Sequence, residues 1–325
     1  MKPKVVAYKK IPKEIEEFIA ETCEITFCGN LNDENRADFL EKIQEAAGLI
    51  GSGLKVDKEL LDQMPALKIV SNMSVGYDNL DVQELTKRHI LATNTPDVLN
   101  ETTADTIFGL LLATARRFPE LHNYVKDGRW KEIIGEDLFG VDVHHKVLGI
   151  IGMGRIGTVI AKRAHLGFGM EILYHNRSRH QEAEHQYGAT YCSLDELLQK
   201  SDFVCLMTPL TPHTEHLIGE REFRLMKKTA IFINGSRGKT VNEQDLVRAL
   251  ENREILAAGL DVFQKEPIDP DHPLLKLENV VLLPHVGSAT YETRFAMAKL
   301  AAENLVKGLQ GEHPPSLINP EVLGK

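Results

Sequence analysis

Short apolar runs alternate along most of this chain with stretches of helical period. Residues 4–8, 24–28, 48–52, 67–72 and 90–93 read as strands, and 13–21, 35–47, 58–64 and 82–88 as helices between them. A run that is apolar throughout suits a strand covered on both faces, so this alternation predicts a parallel α/β sheet in the first hundred residues. Pro96 breaks the pattern and marks a domain boundary. Residues 102–121 then read as one long helix, apolar over more than one face. Such a helix is either buried within its own chain or shared with another subunit. From 147 to 283 strand and helix alternate again, as in a doubly wound nucleotide domain. A last helix over 291–309 precedes Pro314, Pro315 and a polar tail. Too short to fold alone, it is expected to pack back on the first unit.

The pattern is sharpest at 147–157. The strand Val147–Ile151 runs into Gly152, Gly154 and Gly157, spaced G-x-G-x-x-G, and a helical stretch follows with Ile156, Val159, Ile160 and Ala164 on one face. Gly152 allows the tight turn, Gly154 lets a pyrophosphate approach the backbone, and Gly157 lets helix and strand pack closely. The N–H groups of the first helical turn, at Arg155 and Ile156, would hold phosphate charge. Strand, glycine turn and helix in that order are the context a dinucleotide site requires.

Charge and cysteine use narrow the classes. A net charge of −9 over 325 residues argues against nucleic acid or an anionic membrane as the main partner. The four cysteines, at 23, 28, 192 and 205, form no C-x-x-C, and Cys192 and Cys205 read as core residues. A reducing cytosol is the expected compartment. The first twelve residues hold no signal-like core, and no apolar stretch is long enough to span a bilayer. No Asp/His/Glu cluster has metal-ligand spacing, so no metal is expected, and His144, His145, His213 and His216 read as loop or surface residues.

Candidate chemistry gathers where strands end. After the second strand of the nucleotide unit stand Asn176, Arg177, Ser178 and Arg179, with no acid to bind a ribose 2′-OH. Guanidinium and hydroxyl groups suit a 2′-phosphate, which favours NADP(H), with NAD(H) as the alternative. Three later stretches follow apolar strands: Gly235, Ser236 and Arg237; Asp261 to Glu266; and His285, Val286, Gly287 and Ser288. Arg237 can bind a substrate carboxylate and carbonyl, His285 can supply a proton, and Glu266 can stabilise and orient the imidazolium.

With Val75, Gly76, Tyr77, Asp78, Asn79, Leu80 and Asp81 added, these motifs make the chain resemble the D-isomer-specific 2-hydroxyacid dehydrogenases over essentially its whole length. The likeness is greatest to the glyoxylate/hydroxypyruvate (2-ketogluconate) reductase branch. The resemblance implies two Rossmann-like doubly wound parallel-sheet α/β domains. The nucleotide domain (101–285) is inserted into a discontinuous substrate domain (1–100 and 286–325), with hinges near 96–102 and 285–290. It implies Arg237, Glu266 and His285 as catalytic residues and the Val75 and Gly76 N–H groups as carboxylate ligands, with Leu54 shaping the pocket. Thr103 and Asp261 would face the nicotinamide amide, and Thr208 and Pro209 the adenosine side. Gly235, Ser236, Gly287 and Ser288 complete the expected cofactor contacts. The implied activity is NADPH-preferring reduction of small 2-keto acids by a homodimer joined through the nucleotide domain. The rivals are an NAD-dependent 3-phosphoglycerate dehydrogenase of the same family and a non-catalytic nucleotide-sensing binding protein.

Overall fold

In the computed structural model, which describes residues 1–29 and 35–324, the backbone separates into two units, Met1–Leu99 with Ala289–Lys325, and Asn100–Ser288. The second unit keeps Val286 and Gly287 because both donate backbone N–H bonds to the Asp261 carboxylate, at 2.8 and 2.9 Å.

The first unit runs β1 (Lys4–Ala7), α1 (Lys13–Thr22), β2 (Glu24–Phe27), α2 (Arg36–Ile43), β3 (Gly48–Gly51), α3 (Lys58–Leu61), β4 (Ile69–Asn72), α4 (Val82–Lys87) and β5 (Leu91–Thr93). Its five strands pair in parallel in the order β2-β1-β3-β4-β5. Both faces are covered, which is why the strands read as unbroken apolar runs. Along β1, Val5 and Ala7 face one core while Val6, followed by Tyr8, faces the other.

The second unit comprises α5 (Asn100–Ala115), α6 (Phe118–Lys126), β6 (Val147–Ile151), α7 (Arg155–Phe168), β7 (Glu171–His175), α8 (Gln181–Tyr187), β8 (Thr190–Tyr191), α9 (Leu194–Lys200), β9 (Phe203–Leu206), α10 (Glu220–Leu225), β10 (Ile231–Asn234), α11 (Glu243–Glu251), β11 (Ala257–Leu260) and β12 (Val280–Leu282). Its seven strands are parallel, in the order β12-β11-β10-β9-β6-β7-β8. The order reverses between β6 and β9, the crevice where doubly wound sheets take ligands. Strand β9 shows the two-sided burial clearly: Phe203 and Cys205 join the core under α5 and α7, and Val204 and Leu206 the core under α9, α10 and α11.

The expected single helix over 102–121 is corrected. It is two helices, broken where Arg117 takes a left-handed φ of 55° ahead of Pro119. The apolar breadth of α5 is used inside its own unit, against α7, β10, β11 and β12. Helix α6 has no buried residue.

The last helix, α12 (Tyr291–Gln310), belongs to the first unit and lays Ala298, Ala301, Ala302 and Leu305 on its sheet. The tail beyond it is not a loose polar end. Asn94 N–H bonds the Ser316 carbonyl and Ile318 N–H that of Ala92, so the tail covers the outer edge of β5.

Candidate active site

The turn after β6 is built as the glycine spacing demands. Gly152 has φ +101°, and a Cβ there would lie 2.7 Å from the Met207 carbonyl carbon. A Cβ on Gly157 would lie 2.5 Å from the Gly152 oxygen, so helix and turn touch there. By contrast, a Cβ on Gly154 would meet no atom of the described residues within 4 Å beyond its own chain neighbours. That is open space in front of the first turn of α7, where helical N–H groups have no preceding carbonyl to meet. The geometry therefore fits a phosphate of a dinucleotide. Thr208, whose N lies 2.8 Å from that same hypothetical Gly152 Cβ, has a buried hydroxyl with no hydrogen-bond partner among the described residues. Pro209 beside it is exposed, and Ile156 packs into the core below the turn.

Asn176 does more than its position suggested. Its Oδ1 accepts the Met153 N–H at 2.7 Å and its Nδ2 donates to the Met153 carbonyl at 3.0 Å. It braces the glycine turn from the end of β7. Arg177, Ser178 and Arg179 are exposed. Arg179 is engaged by both oxygens of Glu184, at 3.0 and 2.8 Å, whereas Arg177 has no protein partner among the described residues.

Arg237, Glu266 and His285 follow β10, β11 and β12, three neighbouring strands whose carboxyl ends lie along one sheet edge. The turn that carries Arg237 is knotted by Asn234. Its Oδ1 accepts from the N–H and hydroxyl of Ser236, and its Nδ2 donates to the Arg237 carbonyl at 3.2 Å. Gly235 lies against Ile107, with no room for a side chain.

His285 Nδ1 and Glu266 Oε2 are 2.7 Å apart. The other Glu266 oxygen accepts the Phe263 N–H at 3.0 Å. Burial works to raise the Glu266 carboxyl, but the His285 hydrogen bond, the Phe263 N–H and nearby Arg237 outweigh it and hold it below the ordinary range. With Nδ1 on the carboxylate, the ring turns Nε2 away, and that nitrogen has no protein partner among the described residues.

Asp261 is buried, and a Cβ on Gly287 would lie 3.1 Å from its Oδ2 and 3.2 Å from Thr103 Cγ2, so these three residues meet. Burial raises the Asp261 carboxyl, against the opposing pull of the Val286 N–H, His285 and the Gly287 N–H. Its carboxylate thus anchors the backbone immediately after His285. Thr106 on α5, which sequence reasoning passed over, donates to the Gly287 carbonyl at 3.3 Å. Ser288 closes the unit.

In the first unit the loop at Val75 and Gly76 is held by side-chain amides. Asn94 Nδ2 donates to the Val75 carbonyl at 2.8 Å, and Asn72 Nδ2 to the Gly76 carbonyl at 2.9 Å. Asn79 Nδ2 reaches the Leu54 carbonyl at 2.8 Å, tying the loop at 51–54 to the same knot. With their carbonyls occupied, the Val75 and Gly76 N–H groups have no protein acceptor among the described residues. Adjacent unpaired N–H groups suit a carboxylate. No group of His, Cys, Asp and Glu among the described residues could hold a metal ion.

A doubly wound sheet with a glycine-turn phosphate cradle and a carboxylate–imidazole pair at its carboxyl edge defines a nicotinamide-dependent oxidoreductase. Residues 108–287 match the family model "D-isomer specific 2-hydroxyacid dehydrogenase, NAD binding domain". The chain belongs to that family and is an NAD(P)-dependent oxidoreductase acting on a small keto or hydroxy acid. It is 52% identical over 322 residues to glyoxylate/hydroxypyruvate reductase B of Klebsiella pneumoniae subsp. pneumoniae, covering 99% of this chain and 100% of that one. Identity to the protein of the same name from Salmonella heidelberg is 50% over 324 residues, with 100% of each chain covered. Among solved structures, the NADPH-dependent glyoxylate/hydroxypyruvate reductase of Sinorhizobium meliloti, in complex with NADP and malonate, is similar at a TM-score of 0.87. It is 34% identical, with 98% of this chain and 97% of that one covered. A protein from Thermus thermophilus reaches a TM-score of 0.89 at 39% identity, with 97% and 99% covered.

Proposed function

We propose that this protein is an NADPH-preferring reductase of small 2-keto acids, turning hydroxypyruvate into D-glycerate and glyoxylate into glycolate, with 2-ketogluconate as a further candidate substrate. The observation that carries the reading is the 2.7 Å pair of His285 and Glu266 on the sheet edge that also bears Arg237. The names of its relatives support the substrates.

When bound, the reduced nicotinamide supplies the hydride that reduces the keto carbon. His285 donates the matching proton to the carbonyl oxygen from Nε2, while Glu266 on Nδ1 stabilises the imidazolium and fixes the ring. Arg237 polarises the carbonyl and binds the carboxylate. The unpaired N–H groups of Val75 and Gly76 give a carboxylate a further anchor, with Leu54 beside them. Thr103 and Asp261 face the nicotinamide amide; Gly152, Gly154, Arg155, Ile156 and Gly157 hold the pyrophosphate. The rest of the cofactor is held by Thr208, Pro209, Gly235, Ser236, Gly287 and Ser288. Arg177, exposed and without a protein partner among the described residues, takes the 2′-phosphate together with Ser178. Arg179 contributes less because Glu184 already occupies it.

The second unit also exposes Phe118, Val125, Trp130, Ile133, Ile134 and Phe139 within one segment. So much apolar surface in one segment supports the reading of an interface there, and the occupant proposed is a second copy of this chain. The buried, unpaired state of all four cysteines supports a cytoplasmic location.

The test is the initial rate of cofactor oxidation with hydroxypyruvate, NADPH against NADH at equal concentration. Faster turnover with NADPH is expected, and Arg177→Ala should remove most of that preference. His285→Ala should lower kcat by about 10²–10⁴-fold with NADPH affinity retained. Faster turnover with NADH would sink the cofactor assignment alone, and near-normal turnover of the His285 variant would remove the proposed acid.

A further inference from the structure

Glu243, at the start of α11, is a buried carboxylate with only 6% of its surface exposed and no part in the reaction as described above. One oxygen accepts the backbone N–H of Gln264 at 2.6 Å. The other faces His272 Nε2 at 3.4 Å. His272 Nδ1 in turn accepts the Leu274 N–H, which puts the ring proton on Nε2, toward Glu243. A carboxylate kept this far from water needs a reason, since an apolar helix start would cost less desolvation.

The reason lies in what Gln264 belongs to. Residues 263–266 form a strap leading from the end of β11 to Glu266. The strap passes directly over Gly238, where a Cβ would lie 1.8 Å from the Phe263 carbonyl carbon. Gly238 adjoins Arg237. Phe263, one residue before Gln264, donates its N–H to the Glu266 oxygen that does not meet His285. One short strap therefore carries Glu266, bonds its free oxygen, and lies against the turn bearing Arg237. Its tethers to α11 and the residues before it are the Glu243–Gln264 bond and a second bond from Gln264 Nε2 to the Val241 carbonyl at 3.0 Å, and the same Nε2 lies 3.1 Å from His216 Nε2.

We propose that Glu243 is a positioning residue for the proton-donating pair: through the Gln264 N–H it holds the strap at the register in which Glu266 meets His285. The proposal rests on the reading of that pair given above. The charged and titratable groups that face Glu266 are His285, Arg237, Asp261 and Glu243, and His272 faces Glu243 in turn. Glu243 acts by the hydrogen bond and not by its charge, so a neutral acceptor of the same length substitutes for it.

The test is the pH profile of kcat for the full-length protein, with NADPH and hydroxypyruvate, in Glu243→Ala, Glu243→Asp and Glu243→Gln. Glu266→Gln serves as the reference for a disturbed pair. Glu243→Ala should lower kcat by about tenfold or more with KM within about twofold. It should also move the alkaline limb of the profile in the same direction as Glu266→Gln. Glu243→Asp keeps the charge but falls one methylene short of Gln264, so it should behave as Ala does, and it carries the test if the Ala variant fails to fold. Glu243→Gln, made together with His272→Ala so that the new amide NH2 does not oppose the His272 Nε2–H, should recover most of the turnover and the limb. A normal kcat in the Ala and Asp variants, or a lowered kcat with an unmoved limb, overturns the proposal. So does a Gln variant as impaired as Ala, because the charge would then be the agent. If Glu266→Gln itself leaves the profile unmoved, the reading of the pair is what fails.

Discussion

At the scale of single residues, the site is a set of polar side chains whose partners are backbone groups. Asp261 takes two N–H groups after His285, Glu266 takes Phe263, Asn176 braces Met153, and Asn234 knots the Arg237 turn. Each such bond fixes a loop that has no regular structure of its own. The Glu266 carboxyl sits below the ordinary 4.5, chiefly because the His285 hydrogen bond overcomes burial. A depressed acid stabilises the fold above its unfolded value and loses that contribution as pH falls through the folded one. In urea, Glu266→Gln should therefore unfold more easily than the parent at neutral pH. The gap should close as pH drops below 4.5, and a gap of constant size would contradict the assignment. The residue types at 237, 266 and 285 are readable in the sequence because a guanidinium, a carboxylate and an imidazole follow three successive apolar strands, and the three types fit one reaction where any one alone would read as structural. Asn176, Asn234, Thr106 and Glu243 were not read as braces. Except for Asn234, which bonds the turn directly after it, each serves a backbone far along the chain and looks like any other polar residue until its partner is known.

At the scale of elements, the strands were legible because both faces of each sheet are covered. Val147–Ile151 and Phe203–Leu206 are apolar throughout and divide alternate side chains between two cores. The stretch 102–121 reads as one helix and folds as two. Pro119 inside the stretch is the sequence signal of the break, whereas the left-handed turn at Arg117 before it shows only in the backbone. The glycine turn is the element with least tolerance. Gly152→Ala puts a Cβ at φ +101° and 2.7 Å from the Met207 carbonyl carbon. Backbone strain of this kind costs about 1–3 kcal/mol before the clash is counted. The variant should melt lower and bind NADPH more weakly in a fluorescence titration. An unchanged melting temperature would mean that the turn has another way to form.

At the scale of the whole molecule, the proposed pairing of two chains is tested at the exposed apolar residues of 118–139. Sedimentation velocity should give the mass of two chains, and Trp130→Glu with Ile133→Glu should shift the species toward one chain. A wild-type protein that sediments as 36.4 kDa at micromolar concentration would refute the second-copy assignment. What the sequence alone determined is what local physics encodes: which runs are strands, where glycines make a tight turn into a helix, and which strand ends carry an arginine, a carboxylate and an imidazole. What only the tertiary structure decided is adjacency. Glu266 and His285 meet, with Arg237 near enough to act on Glu266, because β10, β11 and β12 are neighbours in a parallel sheet whose carboxyl ends share one edge. The polar tail became an edge cover for β5, and Glu243 became a tether, for the same reason. Hydrogen bonds between distant segments depend on which surfaces the sheets bring together, and no period along the chain records that choice.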